Sequence, residues 1–202
     1  MHKFILSVLL AISAYCPVYV LASEVQTVRL DHGITIQLPT WMDVKDAKTV
    51  AALEQIAQDS AASRGMATPS GRNALLTASG RDVSVRLIVT TPTPTKQAEL
   101  DALRPIDVQQ LGKQLESQIR QTGTSLIGGV SAYTSDKVAN RRSFIYQYQR
   151  STLFGANSIP RLVVVYQLVS GNNLVEMTVS LPPNDQTALA VLGRIQGSLR
   201  LP

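Results

Sequence analysis

Apolar and polar residues alternate through VQTVRLD, Val25 to Asp31, and again through ITIQL, Ile34 to Leu38. With His32 and Gly33 between them, the two runs predict a β-hairpin with a tight turn. Pro39 ends the ladder, and VKDAKTVAALEQIAQDSAAS then places Val50, Leu53, Ile56 and Ala57 at helical spacing. That stripe predicts an amphipathic helix with those four residues on one side. NALLTASG and RDVSVRLIVTTP follow as a second strand pair joined at Gly80, with Val83, Val85, Leu87 and Val89 on a shared face. The stretch TPTPTKQAELDALRP reads as a loop with a helical turn, because its prolines limit regular structure. PIDVQQLGKQLESQIRQTG is a helix opened by Pro105 and closed by Gly123, with Val108, Leu111, Leu115 and Ile119 as its stripe.

The rest of the chain is richer in strand. SLIGGVSAYTSDKV and RRSFIYQYQRSTL are consecutive strands, and the second places Phe144, Tyr146 and Tyr148 on one face. RLVVVYQLVS is apolar on both faces, the pattern of a central strand covered twice. LVEMTVSL alternates Val175, Met177, Val179 and Leu181 against polar neighbours, which sets its register. NDQTALAVLGRIQGSLRLP closes with a helix that Asn184 or Asp185 can cap and that carries Leu189, Leu192 and Ile195. This order predicts a single α+β domain: a curved antiparallel sheet of about six to eight strands covered by two to four helices.

The order of elements and three local signatures resemble the PsbP-like and DcrB-like superfamily of small exported α+β domains. The signatures are the opening hairpin ending in Leu38, Pro39, Thr40 and Trp41, the amphipathic helix from Val108 to Gly123 before a glycine-bearing strand block, and a last helix ending in GSLRLP. The resemblance spans nearly all of the chain after residue 22. It implies a curved antiparallel sheet under helices, without enzyme activity, used to bind partner proteins or to assist assembly at membranes. It carries over no ligand residue.

The N-terminus changes the compartment. His2 and Lys3 precede an apolar run from Phe4 to Leu21, and Val20 and Ala22 stand at the minus-three and minus-one positions of a signal cleavage site. Residues 1–22 are therefore read as a signal peptide, 23–202 as the domain, and the location as the bacterial periplasm. Pro17 and the polar segment that follows weigh against a retained transmembrane anchor. The single cysteine, Cys16, lies in the leader, so the exported chain has no disulfide, thiolate nucleophile or thiolate-bound metal. Loss of Lys3 leaves 18 Lys and Arg against 14 Asp and Glu, a net charge of +4. That charge is too mild for a nucleic-acid partner but compatible with contact to a membrane surface.

No catalytic constellation emerges. After the leader, the one histidine is His32, in the predicted turn, and no G-x-S-x-G motif surrounds any serine. Asp43 and Asp46 precede a helix and favour its positive end, and zinc and EF-hand spacings are absent, so no cofactor or metal is implied. Gly128 and Gly129 lack a following lysine and helix, and read as a strand bulge rather than a phosphate loop.

Four arginines form the candidate partner-binding set: Arg141, Arg142, Arg150 and Arg161. If their strands pair as a hairpin, Arg150 and Arg161 fall near its turn and Arg141 and Arg142 at the far end. Such a set suits an acidic partner or anionic headgroups. The proline-bearing loop from Thr90 to Pro105 is a second candidate, and a groove lined by Tyr133, Tyr146, Tyr148 and Tyr166 a third. Trp41, the only tryptophan, is expected to anchor the corner between hairpin and first helix. The functional expectation is a non-catalytic protein that binds another envelope protein as an accessory or assembly factor. The alternatives are an immunity protein that neutralises a periplasm-delivered toxin, and a small-molecule-binding or hydrolytic envelope protein.

Overall fold

A computed structural model describes residues 24–63, 65, 70–154 and 157–202. The leader read at residues 1–22, with Cys16 and its cleavage site, lies outside the described residues. The two opening runs form β1 (Val25–Arg29) and β2 (Thr35–Pro39), an antiparallel pair joined by a 3-10 turn in which exposed His32 adopts φ +59°. A two-residue strand β3 (Asp43–Val44) leads to helix α1 (Ala47–Ser63). Strands β4 (Arg72–Gly80) and β5 (Val83–Thr90) precede the short α2 (Gln97–Asp101) and the longer α3 (Pro105–Gln121). Four long strands follow, β6 (Leu126–Val138), β7 (Arg141–Phe154), β8 (Asn157–Ser170) and β9 (Asn173–Leu181), and α4 (Gln186–Ser198) ends the sequence of elements.

Strands β3 to β9 make a seven-stranded antiparallel sheet in the order β3-β4-β5-β9-β8-β7-β6. β8, the strand that is apolar on both sides, lies inside the sheet between β9 and β7. The opening hairpin does not join this sheet; β1 and β2 make a two-stranded sheet of their own. Ile34, Ile36 and Leu38 turn inward and pack against Leu87, Val175, Met177 and Val179 of the large sheet and Ile195 of α4. These side chains are at most 1% exposed. Burying each contributes roughly 1.5–3 kcal/mol relative to exposure. The GSLRLP tail fastens α4 to the hairpin. Arg200 and Thr35 exchange backbone hydrogen bonds at 2.9 and 3.1 Å, and the Ser198 hydroxyl donates to the Gln37 carbonyl at 3.1 Å.

The other face of the sheet is dressed differently. α3 lays Val108, Leu111 and Leu115 over Phe144, Tyr146 and Ala132. α1 corrects the sequence reading: Val50 is buried, but Leu53 is 43% and Ile56 64% exposed, and the residue that turns inward one turn after Val50 is Glu54. The strands beneath explain it. Arg72 of β4 and Arg86 of β5 point up at α1, and the Glu54 carboxylate pairs with both, at 3.3 Å from the Arg72 Nε and directly with Arg86. Two arginines on a partly covered sheet face need a counter-charge more than they need an apolar stripe.

Trp41 occupies the corner between β2 and β3, half-buried and packed on the inner core. The Arg81 guanidinium lies 5.2 Å from its ring centroid, and a side chain at Gly80 would meet the Trp41 carbonyl at 2.7 Å. The residue is an anchor, as the corner position suggests. Asp46 accepts from the Thr49 N–H at 2.9 Å at the start of α1, whereas Asp43 sits in β3 and pairs with Lys45 instead. Gly128 and Gly129 form the expected bulge, where β6 shifts register between Ile127 and Ser131. Glu116 and Arg120 of α3 clasp it, accepting from the Val130 N–H at 3.2 Å and donating to the Gly128 carbonyl at 2.9 Å.

Candidate functional site

The alternation of RRSFIYQYQR becomes one row of side chains on the outer face of β7: Arg142, Phe144, Tyr146, Tyr148, Arg150. Ring centroids of Phe144 and Tyr146 are 6.0 Å apart, and those of Tyr146 and Tyr148 are 6.4 Å apart with nearly parallel planes. α2 and α3 bury Phe144 at one end, while Tyr148 and Arg150 at the other are half-buried. Arg150 stands directly opposite Arg161 of β8, and Tyr148 opposite Val163. Just beyond Arg161 on the same face, Ile159 is 41% exposed. An arginine thus closes each end of an aromatic row.

The four candidate arginines divide into two pairs, as the hairpin geometry predicts, and within each pair the roles differ. Arg161 braces the fold: its guanidinium donates to the Asp82 carbonyl and, at 3.1 Å, to the Ser180 carbonyl. Partial burial lowers its pKa, opposed by the nearby Asp82 charge. Arg150, across from it, keeps a buried Nε with no hydrogen-bond partner. At the far end, Arg141 donates to the Val169 carbonyl at 3.0 Å and to the Pro202 carbonyl. Arg142 donates to the Leu103 carbonyl at 3.2 Å, and its buried Nε is likewise unpartnered.

Electrostatics keep the tyrosines neutral. Burial pushes the Tyr146 phenol far above its ordinary value, and the Glu176 charge adds to the effect. Burial also raises Tyr148, opposed by Arg150 and reinforced by Glu176. Both hydroxyls are therefore hydrogen-bonding groups, not bases or nucleophiles, at neutral pH. Glu176 itself accepts from the Gln167 amide at 3.1 Å. The four-tyrosine groove does not form. Tyr133 lies opposite Ile145 on the other face, and Tyr166 is buried in the inner core with its hydroxyl 3.3 Å from Gln196 Oε1.

The loop candidate and the Arg141/Arg142 pair meet. Thr93, Lys96, Gln97 and Asp101 face these arginines, Val169 and the β8–β9 turn across a cleft of about 740 Å³. Sequence reasoning flagged both sides separately and had no means to join them, because the 45 residues between Gln97 and Arg142 say nothing about proximity. Among the described residues no group of three or more His, Cys, Asp and Glu is placed to hold a metal ion, and no helix is long and apolar enough to cross a membrane.

No family model and no curated protein matches this sequence. Solved structures do match. Cyanobacterial PsbP (CyanoP) from Synechocystis sp. PCC 6803 aligns with a TM-score of 0.50 and 14% identity, over 91% of this chain and 96% of that one. The fold is PsbP-like. The Saccharomyces cerevisiae Ran-binding protein Mog1p aligns at 0.47 and 11% identity, over 89% and 96% of the two chains. LpqN, involved in cell envelope biogenesis of Mycobacterium tuberculosis, aligns at 0.39 and 11%, over 88% and 90%. At these identities the likeness is one of fold alone.

Proposed function

We propose that this chain is a non-catalytic periplasmic protein that binds a partner protein through the outer face of its sheet, at the open end of the β7 row. The observation that carries the reading is Arg150, whose buried Nε lacks an acceptor beside the half-exposed Tyr148. Tyrosine and arginine are the side chains most enriched where protein interfaces concentrate their binding energy, and exposed Ile159 supplies an apolar contact next to them. A partner segment that presents a carboxylate to Arg150 and packs over Tyr148 satisfies both. The periplasmic location rests on the leader-like residues 1–22. An assembly factor and an immunity protein use such a surface alike, and a toxin gene adjoining this one separates the two.

The experiment is capture from an envelope extract on immobilised wild-type protein and on Tyr148→Ala and Arg150→Glu, quantified by mass spectrometry. The expected result is a protein retained by the wild type and reduced about tenfold or more on both variants, whose thermal melts stay near wild type. A retained set identical on all three overturns the assignment of the surface.

A further inference from the structure

We propose that the cleft at the opposite end of the row is a binding site for a small dicarboxylate that also carries a hydroxyl donor, a hydroxy-dicarboxylate of the malate type. The charge of the cleft comes first. Lys96, Arg141 and Arg142 line it against a single carboxylate, Asp101, three cations to one anion and hence a net charge of +2. Arg141 and Arg142 donate to backbone carbonyls only, which orients their guanidinium groups without cancelling their charge. None of the ion pairs among the described residues uses these three cations. A dianion matches that excess.

Two buried polar atoms then specify the ligand further. The Gln97 amide nitrogen donates to the Arg142 carbonyl at 3.0 Å and to Asp101 Oδ1 at 2.9 Å, so the amide orientation is set by its partners. Its oxygen is left buried with no donor. The Arg142 Nε is left buried with no acceptor. A buried acceptor and a buried donor on neighbouring, mutually bonded residues call for a molecule that supplies the reverse pair: a hydroxyl to Gln97 and a carboxylate oxygen to Arg142. The volume of about 740 Å³ lies within the usual range of small-molecule sites.

The walls are held before any ligand arrives. Thr93 donates its N–H to the Asn172 carbonyl at 2.9 Å, tying the loop before α2 to the β8–β9 turn. The Lys96 N–H donates to Glu99 at 3.2 Å and sets the first turn of α2. Rigid walls reduce the ordering cost of binding.

Isothermal titration of the chain from residue 23 onward with malate, succinate and inorganic phosphate tests the site. Malate should bind, and succinate, identical but for the hydroxyl, should bind at least about tenfold more weakly, because it leaves Gln97 unpaired. Phosphate should bind more weakly than malate. Gln97→Leu should erase the preference for malate over succinate, and Lys96→Ala, at an exposed position, should weaken both dicarboxylates without changing the ligand-free melt. Absence of malate binding, equal binding of malate and succinate to the wild type, or phosphate binding as tight as malate overturns the proposal. Tyr148→Ala should leave the malate isotherm unchanged, so this site and the partner-binding surface stand or fall separately.

Discussion

The two faces of the seven-stranded sheet obey different rules. On the inner face, β5 and β9 present unbroken apolar rows to the hairpin and α4, and the contacts are side chain on side chain with almost no polar atom among them. On the outer face the same strands carry Arg86, Thr178, Glu176 and Ser84, β7 adds tyrosines and arginines, and three helices cover it in separate patches. The inner face is where burial supplies stability. The outer face retains charge and half-exposed aromatics that stability alone does not need, and both candidate sites open on it or at its margin.

Mutations can press on that contrast, beginning where the effect is largest. Leu38→Ala empties a fully buried position between hairpin and sheet and should cost about 3 kcal/mol in denaturant unfolding. A loss well under half of that would mean the hairpin is loosely attached and the inner face is less of a core than its burial implies. Glu54→Ala removes the one carboxylate shared by Arg72 and Arg86 and should cost about 2 kcal/mol, reduced from a fully buried pair because both arginines reach solvent. Glu54→Leu should recover little of it, since the two guanidinium groups would still lack an anion. Full recovery would show that α1 wants an apolar stripe after all.

Tyr148→Ala should change stability by less than about 1 kcal/mol while impairing partner capture, the opposite balance to Leu38→Ala. The smallest effect is the acid response of the outer-face helices. Asp46 is held below its ordinary value by the Thr49 backbone N–H, Asp107 by the Arg104 guanidinium, and Glu116 by Arg120. A carboxylate whose pKa is depressed on folding adds stability above its unfolded value, near about 4, and loses it as the pH falls through the folded value. The melt should therefore be flat from neutrality to about pH 5 and decline gently below about 4, with α1 and α3 amides exchanging faster before those of β9. Simultaneous loss of all amides would show that the two faces do not differ in local stability.

Much of the architecture was legible because period and punctuation leave few alternatives. RRSFIYQYQR can alternate in only one way along a strand, so the face shared by Phe144, Tyr146 and Tyr148 follows from their numbers, and the double-sided RLVVVYQLVS has to lie inside a sheet. Pro105 and Gly123 bracket α3 by their own backbone limits. The division of the arginines into two ends of a hairpin follows from the strand lengths between them.

Side-chain choice across elements was not legible. Nothing in the periodicity of α1 favours Glu54 over Leu53 as the buried residue; Arg72 and Arg86 decide it, and they arrive from strands that fold beneath the helix. The separate hairpin sheet, the parting of Tyr133 and Tyr166 from Tyr146 and Tyr148, and the meeting of Gln97 with Arg142 are of the same kind. Local geometry is written in the spacing of neighbours along the chain, because backbone dihedrals and alternation act over a few residues. Which charges must share a cover, and which polar atoms end buried without a partner, depends on distant segments competing for the same space, and only the assembled tertiary structure resolves that competition.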